Sequence, residues 1–146
     1  MGRSKGERRR ARELAFRLLY ETEVTGDAPP ALLREADDET RLAPGVREYA
    51  SELLDLVASH REEIDAVLTR HARNWTLERM AATDRAVLRL AIAEMLFRPD
   101  IPARVVIDEA IEIARRFGDR ESGGFVNGVL DAVRRESEKP QKAEEA

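Results

Sequence analysis

The chain has 146 residues, and 25 Lys and Arg against 29 Asp and Glu give it a formal net charge of -4. This length supports one hydrophobic core. The absence of cysteine excludes disulfides, Cys-ligated zinc, iron–sulfur clusters and thiol catalysis, and suits a reducing cytoplasm. The most apolar stretch, residues 88–96, is interrupted by Arg89 and Glu94. We therefore expect a cytoplasmic protein with neither a membrane span nor a signal peptide.

Apolar residues recur at helical spacing along almost the whole chain, and no stretch alternates with period two. The first predicted helix begins at Ser4 and Glu7, which have capping-box spacing, and runs to about Val24. Glycine and two prolines in residues 26–30 end it. The later predicted helices comprise a short, weak one at 31–39 and stronger ones around 46–57, 64–68, 84–96, 102–117 and 122–133.

These patterns predict an all-α fold of about seven helices. We expect a single domain over residues 1–136, packed as two helical sub-bundles at about 4–72 and 76–136. Residues 137–146 have almost no apolar side chains and are predicted to form a disordered tail.

The first helix combines arginines with aromatic rings. Guanidinium groups bind phosphates, and exposed rings stack on unpaired bases, so this combination is typical of single-stranded nucleic-acid binding. The alternative is an ordinary solvated face, because 22 of the 25 basic residues are arginine, as a GC-rich genome would encode. A helical wheel places Ala11, Leu14, Ala15 and Leu18 inside, and Arg9, Phe16 and Tyr20 together outside, flanked by Arg8 and Arg12.

A second candidate lies in the glycine-rich turn at residues 118–124, just before the last predicted helix, which Ser122 could cap. Free N–H groups at a helix N-terminus can receive a phosphate or a base edge, and glycines allow close approach. The turn lacks the Gly-Lys-Ser/Thr ending of a nucleotide-binding loop. A plain connection between two helices is the alternative interpretation.

Catalytic and metal-binding patterns are weak. His60 and His71 are too far apart to form a helical metal pair, and we expect both near the surface. Asp108 and Glu112 are better explained by intrahelical ion pairs with arginines four residues away, Glu112 with Arg116 among them. We therefore expect no enzyme, no metal and no cofactor.

Four blocks of sequence are RRRARELA at 8–15 with Leu19-Tyr20, DRAVLRLA at 84–91, IDEAIE at 107–112 with Phe117-Gly118, and FVNGVLD at 125–131. Together these blocks resemble the NusB transcription antitermination family, over residues 8–133. The resemblance implies an all-α fold that binds the single-stranded boxA element of ribosomal RNA leaders. It also implies a small-subunit ribosomal protein, NusE, as partner in an RNA polymerase antitermination complex, and some members self-associate, so a homodimer is a further expectation.

The resemblance also implies site residues. Gly124 departs from the family pattern, in which a basic residue is common just before the phenylalanine. Glu78 and Asp84 are expected to lie near the partner protein. The residues expected to contact RNA are Arg8, Arg9, Arg10, Arg12 and Tyr20 on the first helix, with Phe16 as a second stacking ring, and Glu121, Ser122 and Phe125 at the turn.

Two other interpretations remain open. One is a NusB-like protein-interaction adaptor without specific RNA binding, in which the arginines are merely solvated. The other is the NusB-like module found in a ribosomal RNA cytosine methyltransferase. No Rossmann-like half accompanies the helical pattern, so we expect catalysis only with a separate subunit.

Overall fold

The computed structural model describes residues 5–26 and 43–138. Within these ranges the chain forms α-helices and one short 3₁₀ turn, Leu77–Arg79, with no strand, which confirms the all-α prediction. The predicted weak helix at 31–39 and the predicted cap Ser4 lie outside the described residues. The helices are α1 (Lys5–Thr25), α2 (Pro44–Ser59), α3 (Arg61–His71), α4 (Ala82–Phe97), α5 (Ala103–Phe117) and α6 (Ser122–Glu138).

Helix α6 continues through Glu138, so it extends two residues into the segment predicted as a tail. The remainder of that segment, 139–146, lies outside the described residues. The division into two sub-bundles near residues 72–76 stays a prediction, because the buried apolar side chains of all six helices form one continuous cluster.

Helix α4 is the centre of the fold and packs against α1, α2, α3, α5 and α6. Every residue from Ala86 to Glu94 is buried. The sequence explains this position, because a helix that is apolar on all sides must be surrounded by protein. Alanines at 86, 91 and 93 have short side chains, so neighbouring helices can approach the α4 backbone closely.

The two charged residues that interrupt the apolar stretch of α4 are both buried and both paired. Arg89 forms ion pairs with Glu23 of α1, at 2.7 Å, and with Asp65 of α3, at 2.8 Å. Glu94 faces the opposite half of α1, where it pairs with Arg12 at 2.7 Å. Buried charges need such partners, since an unpaired one is strongly destabilising. The pairs therefore fix α1 along its length against α4.

In the part of the chain that the structure describes, no helix is both long enough and apolar enough to cross a membrane.

Candidate nucleic-acid interface

Helix α1 and helix α5 are joined by a row of side-chain contacts, which we call the α1–α5 seam. Arg9 contacts Glu109, with Arg9 Nη2 3.0 Å from Glu109 Oε1. One turn on, Glu13 Oε2 lies 2.9 Å from Arg116 Nη1. The row continues into three aromatic rings, and its members are Arg9, Glu13, Phe16 and Tyr20 on α1, and Glu109, Arg116 and Phe117 on α5.

The predicted RNA-binding arginines of α1 have different environments. The Arg9 side chain is 67% exposed although it pairs with Glu109, whose hydrogen bonds and charge raise the pKa of Arg9. Arg10 is exposed, and no described residue forms an ion pair or hydrogen bond with it. Arg8 is half-buried, and its Nε has no hydrogen-bond partner among the described residues. Arg9 and Arg10 are thus the accessible cations of the run, with Arg8 partly accessible.

Arg12 is not on the outer face, contrary to the prediction, because it is only 4% exposed. Its guanidinium donates three hydrogen bonds to the Glu94 carboxylate, and the Tyr49 hydroxyl donates a further one to Glu94 Oε2 at 2.6 Å. Burial lowers the pKa of Arg12, but the hydrogen bonds to Glu94 and its charge raise that pKa on balance. Burial and the adjacent Glu94 also raise the pKa of Tyr49. Arg12 therefore holds three helices together and has no free donor face toward solvent.

Phe16 is also buried, at 2% exposure, so the prediction that it lies on the wet side was wrong. The wheel assumed one buried face on α1, whereas Phe117 at the end of α5 covers Phe16 from a second side. The Phe16 ring lies between the rings of Phe117, with centroids 5.2 Å apart, and Tyr20, 6.4 Å apart. Tyr20 and Phe117 remain 37% exposed. Phe16 supports two accessible rings and is not one itself.

The turn at 118–124 is held by side-chain hydrogen bonds between Asp119 and Ser122, and Ser122, predicted as the cap, is the first residue of α6. Asp119 Oδ1 accepts the Glu121 N–H at 2.8 Å and the Ser122 hydroxyl at 3.3 Å. The Ser122 hydroxyl in turn accepts the Asp119 N–H, and the residue is only 1% exposed. Ser122 is thus buried inside the turn, whereas Glu121 and Arg120 are exposed.

Glycine is required at the start of this turn. A Cβ added to Gly118 would lie 2.7 Å from the Ala114 carbonyl oxygen, which is closer than real Cβ contacts. A Cβ at Gly124 would meet nothing within 4 Å. The space above Gly124, where the family pattern often has a basic residue, is therefore open.

Trp75 was missed as a candidate, yet it lies beside the predicted Phe125. Its ring contacts Phe125 edge-on, with centroids 6.1 Å apart, and Trp75 is 50% exposed. The loop after α3 turns through Asn74, whose φ is 68°, a left-handed conformation that asparagine adopts more readily than most residues. The Trp75 N–H donates to the Ala72 carbonyl and closes this turn. An isolated tryptophan at a break in helical periodicity was the available signal.

The two predicted partner-binding residues are in contrasting positions. Glu78 is exposed in the 3₁₀ turn. Asp84 is only 8% exposed, and its Oδ1 has no hydrogen-bond partner among the described residues. Burial raises the pKa of Asp84, and the neighbouring Ser122 hydroxyl partly offsets this effect. Asp84 therefore lies beneath the turn at 118–124 and not on an open docking surface, although the family resemblance implied that it lies near the partner protein.

The remaining polar candidates are structural. His60 stacks on Phe97 with ring centroids 3.9 Å apart, and His71 pairs with Glu136; both histidines are partly exposed, as predicted. Glu112 pairs with Arg115 at 3.7 Å, so the predicted Glu112–Arg116 pair is wrong, because Arg116 turns to Glu13. No group of three or more potential metal ligands occurs in the described ranges.

Comparison with known proteins places this chain in a family. The sequence model described as "NusB family" matches residues 9–135. The transcription antitermination protein NusB of Myxococcus xanthus is 45% identical over 132 residues, which cover 88% of this chain and 94% of the relative. The chain belongs to the NusB family, a family of non-enzymatic transcription antitermination factors.

Solved structures agree. NusB of T. maritima superimposes with a TM-score of 0.84 at 38% identity, covering 100% of both chains. A chain in the crystal structure of antitermination factors NusB and NusE in complex with dsRNA gives a TM-score of 0.83 at 30% identity, covering 91% of this chain and 99% of that one.

Proposed function

We propose that this protein is a bacterial, cytoplasmic transcription antitermination factor that binds the boxA element of ribosomal RNA leader transcripts together with NusE. Bound in this way, it would promote read-through by RNA polymerase within an antitermination complex. Membership of the NusB family supports the proposal, as does a similar chain crystallised with NusE and RNA.

The contact between Phe16 and Phe117 is the observation that carries the RNA-binding surface. Residue 16 belongs to the arginine helix, and residue 117 immediately precedes the glycine turn. Their ring centroids lie 5.2 Å apart. Two candidate regions about 100 residues apart in sequence therefore meet, and a single RNA strand can reach both.

The surface has the parts that single-stranded RNA recognition needs. Arg9 and Arg10, with the partly accessible Arg8, supply cations for phosphates, and the exposed Tyr20 ring supplies a π-face for an unpaired base. The exposed Glu121 carboxylate can accept hydrogen bonds from base amino groups, which adds sequence preference. No bond is made or broken, so the function is assembly.

Not all predicted contacts are proposed as direct ones. Arg12, Phe16 and Ser122 are buried, so we assign them positioning roles behind the surface: Arg12 orients α1, Phe16 supports Tyr20, and Ser122 shapes the turn. Phe125 is half-buried and remains a proposed contact. For NusE we propose a surface near the exposed Glu78, with buried Asp84 acting only through the turn above it. Self-association into a homodimer also stays a prediction.

The test is a binding titration with a boxA-like single strand and a scrambled strand, across a salt series, with and without NusE. We expect a preference for boxA that grows when NusE is added. Binding should weaken with rising salt. The logarithm of the binding constant should fall linearly with the logarithm of the salt concentration, and the steepness of this fall, the salt slope, should be near 0.7 per neutralised phosphate.

Removal of charge discriminates the adaptor alternative. Arg9→Ala and Arg10→Ala should lower both the RNA affinity and the salt slope, because both side chains are exposed. Equal, weak binding of both strands, unchanged by these substitutions and by NusE, would favour a protein-interaction adaptor with a solvated arginine face.

A further inference from the structure

We infer that Trp75 is an additional RNA-contacting residue, whose exposed indole stacks on a base as the strand leaves the glycine turn. The inference rests on the proposed RNA-binding function and extends its surface beyond α1 and the turn to the loop after α3.

Exposure is the first argument. A tryptophan with 50% of its surface in solvent is unusual, because its large apolar ring is normally well buried. The left-handed Asn74 and the hydrogen bond from the Trp75 N–H to Ala72 hold the loop in a defined turn. Phe125 supports the ring from one side, edge-on. The indole is therefore presented in a fixed position with one face free, as a stacking platform requires.

Continuity with the proposed surface is the second argument. Phe125 lies in the first turn of α6, where its backbone N–H donates to the Glu121 carbonyl at 3.1 Å. The exposed Glu121 belongs to the turn that follows Phe117 of the seam. A single path across the molecule therefore runs from the α1–α5 seam through the turn at 118–124 and Phe125 to Trp75.

Charge is the third argument, and it selects RNA over a protein as the occupant. Three exposed arginines flank this part of the path: Arg73 lies two residues before Trp75, Arg79 four residues after it, and Arg120 in the turn. In the described ranges none of the three forms an ion pair or a side-chain hydrogen bond. A ring among unpaired guanidinium groups suits a stacked base with its phosphates.

The chain contains a single tryptophan, so the experiment needs no label on the protein. A boxA-like single strand is titrated into the full chain while Trp75 emission and its quenching by acrylamide are recorded, and anisotropy of a labelled strand measures affinity in parallel. We expect RNA to change the emission and to protect Trp75 from acrylamide, at the same midpoint as the anisotropy.

Substitutions then measure the contact. Trp75→Ala should weaken binding by between about 5-fold and 150-fold, the range that corresponds to loss of one stacked base. Trp75→Phe should retain most of the affinity, because it keeps an aromatic face. Arg120→Ala should reduce the salt slope, whereas Arg135→Ala, an exposed arginine near the far end of α6, should not.

Each outcome is decisive. RNA binding seen by anisotropy, with no change at Trp75 and no effect of Trp75→Ala in a variant whose circular dichroism is unaltered, would overturn the inference and leave the proposed function intact. Weakened assembly with NusE at unchanged RNA affinity would assign the surface to the protein partner and also overturn it. Absence of RNA binding altogether would overturn both.

Discussion

The basic residues of α1 and the arginines around Trp75 differ in how free their charges are. Arg9 faces Glu109, and Arg12 is buried against Glu94. The three arginines near Trp75 have no such partners among the described residues. The densest basic run in the sequence is therefore partly neutralised by the fold, whereas the sparser set is fully available. A count of basic residues locates the interface poorly unless the acidic residues that face them are known.

Ion pairing also divides the arginines of α1 between two roles, helix packing and anion binding. Arg12 is inaccessible and stabilises the packing of α1, α2 and α4, whereas Arg10, two residues earlier, is exposed and free to bind an anion. Substitution of Arg12 should therefore mainly lower stability, whereas substitution of Arg10 should mainly lower RNA affinity.

The largest expected effect is on stability. Arg12→Ala should lower the free energy of unfolding by about 3–5 kcal/mol, because it leaves the buried Glu94 carboxylate without its cation. Urea denaturation measures the change. Arg10→Ala is the control on the same helix and should change stability by less than about 0.5 kcal/mol. Similar losses in the two variants would mean that the two arginines are not distinguished by burial.

The next largest effect on stability is expected at Asp84, which lies beneath the turn at 118–124. Its raised pKa means that the folded state favours the protonated acid, so its contribution to stability is complete below the unfolded pKa and is lost as pH rises through the folded pKa. Asp84→Asn should therefore stabilise the protein by about 1 kcal/mol at neutral pH, with a smaller gain toward acidic pH. Thermal unfolding from pH 4 to 8 checks this, and a gain that grows toward acid would contradict it.

A smaller effect should distinguish free from paired arginines in RNA binding. Arg10→Ala and Arg120→Ala should each lower the salt slope by about 0.7, because each cation neutralises a phosphate without losing another partner. The measurement is RNA affinity between low and moderate salt. Arg134→Ala, whose arginine is already paired with Asp131 and Glu138 on α6, should leave the slope unchanged. Equal slopes for all three variants would remove the distinction.

The smallest effect is expected at Glu109. In the proposed RNA complex this carboxylate competes with phosphate for Arg9, so Glu109→Gln should raise RNA affinity, by at most about fivefold, the equivalent of one exposed ion pair. Direct titration at low salt measures it. Glu112→Gln, on the same helix, removes an equal charge that pairs with Arg115 instead and serves as the control. Weaker binding by Glu109→Gln would show that Glu109 orients Arg9 toward RNA and does not compete for it.

Helix identity and the central position of α4 could be read from the sequence, because both follow from the spacing of apolar residues. The wheel of α1 also placed Ala11, Ala15 and Leu18 correctly inside. It failed for Arg12 and Phe16, since periodicity within one helix cannot reveal a second covering helix or a distant Glu94. Partners 82 and 101 residues away in sequence decide the burial of those two side chains.

The candidate site was predicted as two separate regions, and their meeting at Phe16 and Phe117 required the structure. The turn was located from its glycines, and Ser122 was predicted to cap α6 because serine is a good cap. In the structure its hydroxyl instead accepts the Asp119 N–H within the turn. Trp75 was overlooked because a lone aromatic residue in a loop has no periodicity. The proposed stacking role of Trp75 depends on Phe125, 50 residues later in the sequence, which supports the ring.

The buried contact of Arg12 and Tyr49 with Glu94 affects how the N-terminal helix moves. Terminal helices usually fray, and their amide hydrogens then exchange with solvent through local opening. Detachment of α1 would expose both the Arg12–Glu94 pair and the Tyr49 hydrogen bond. The amides of the middle of α1 should therefore exchange only when the whole domain unfolds. The helix proposed to bind RNA would then meet its ligand as a preformed, rigid surface.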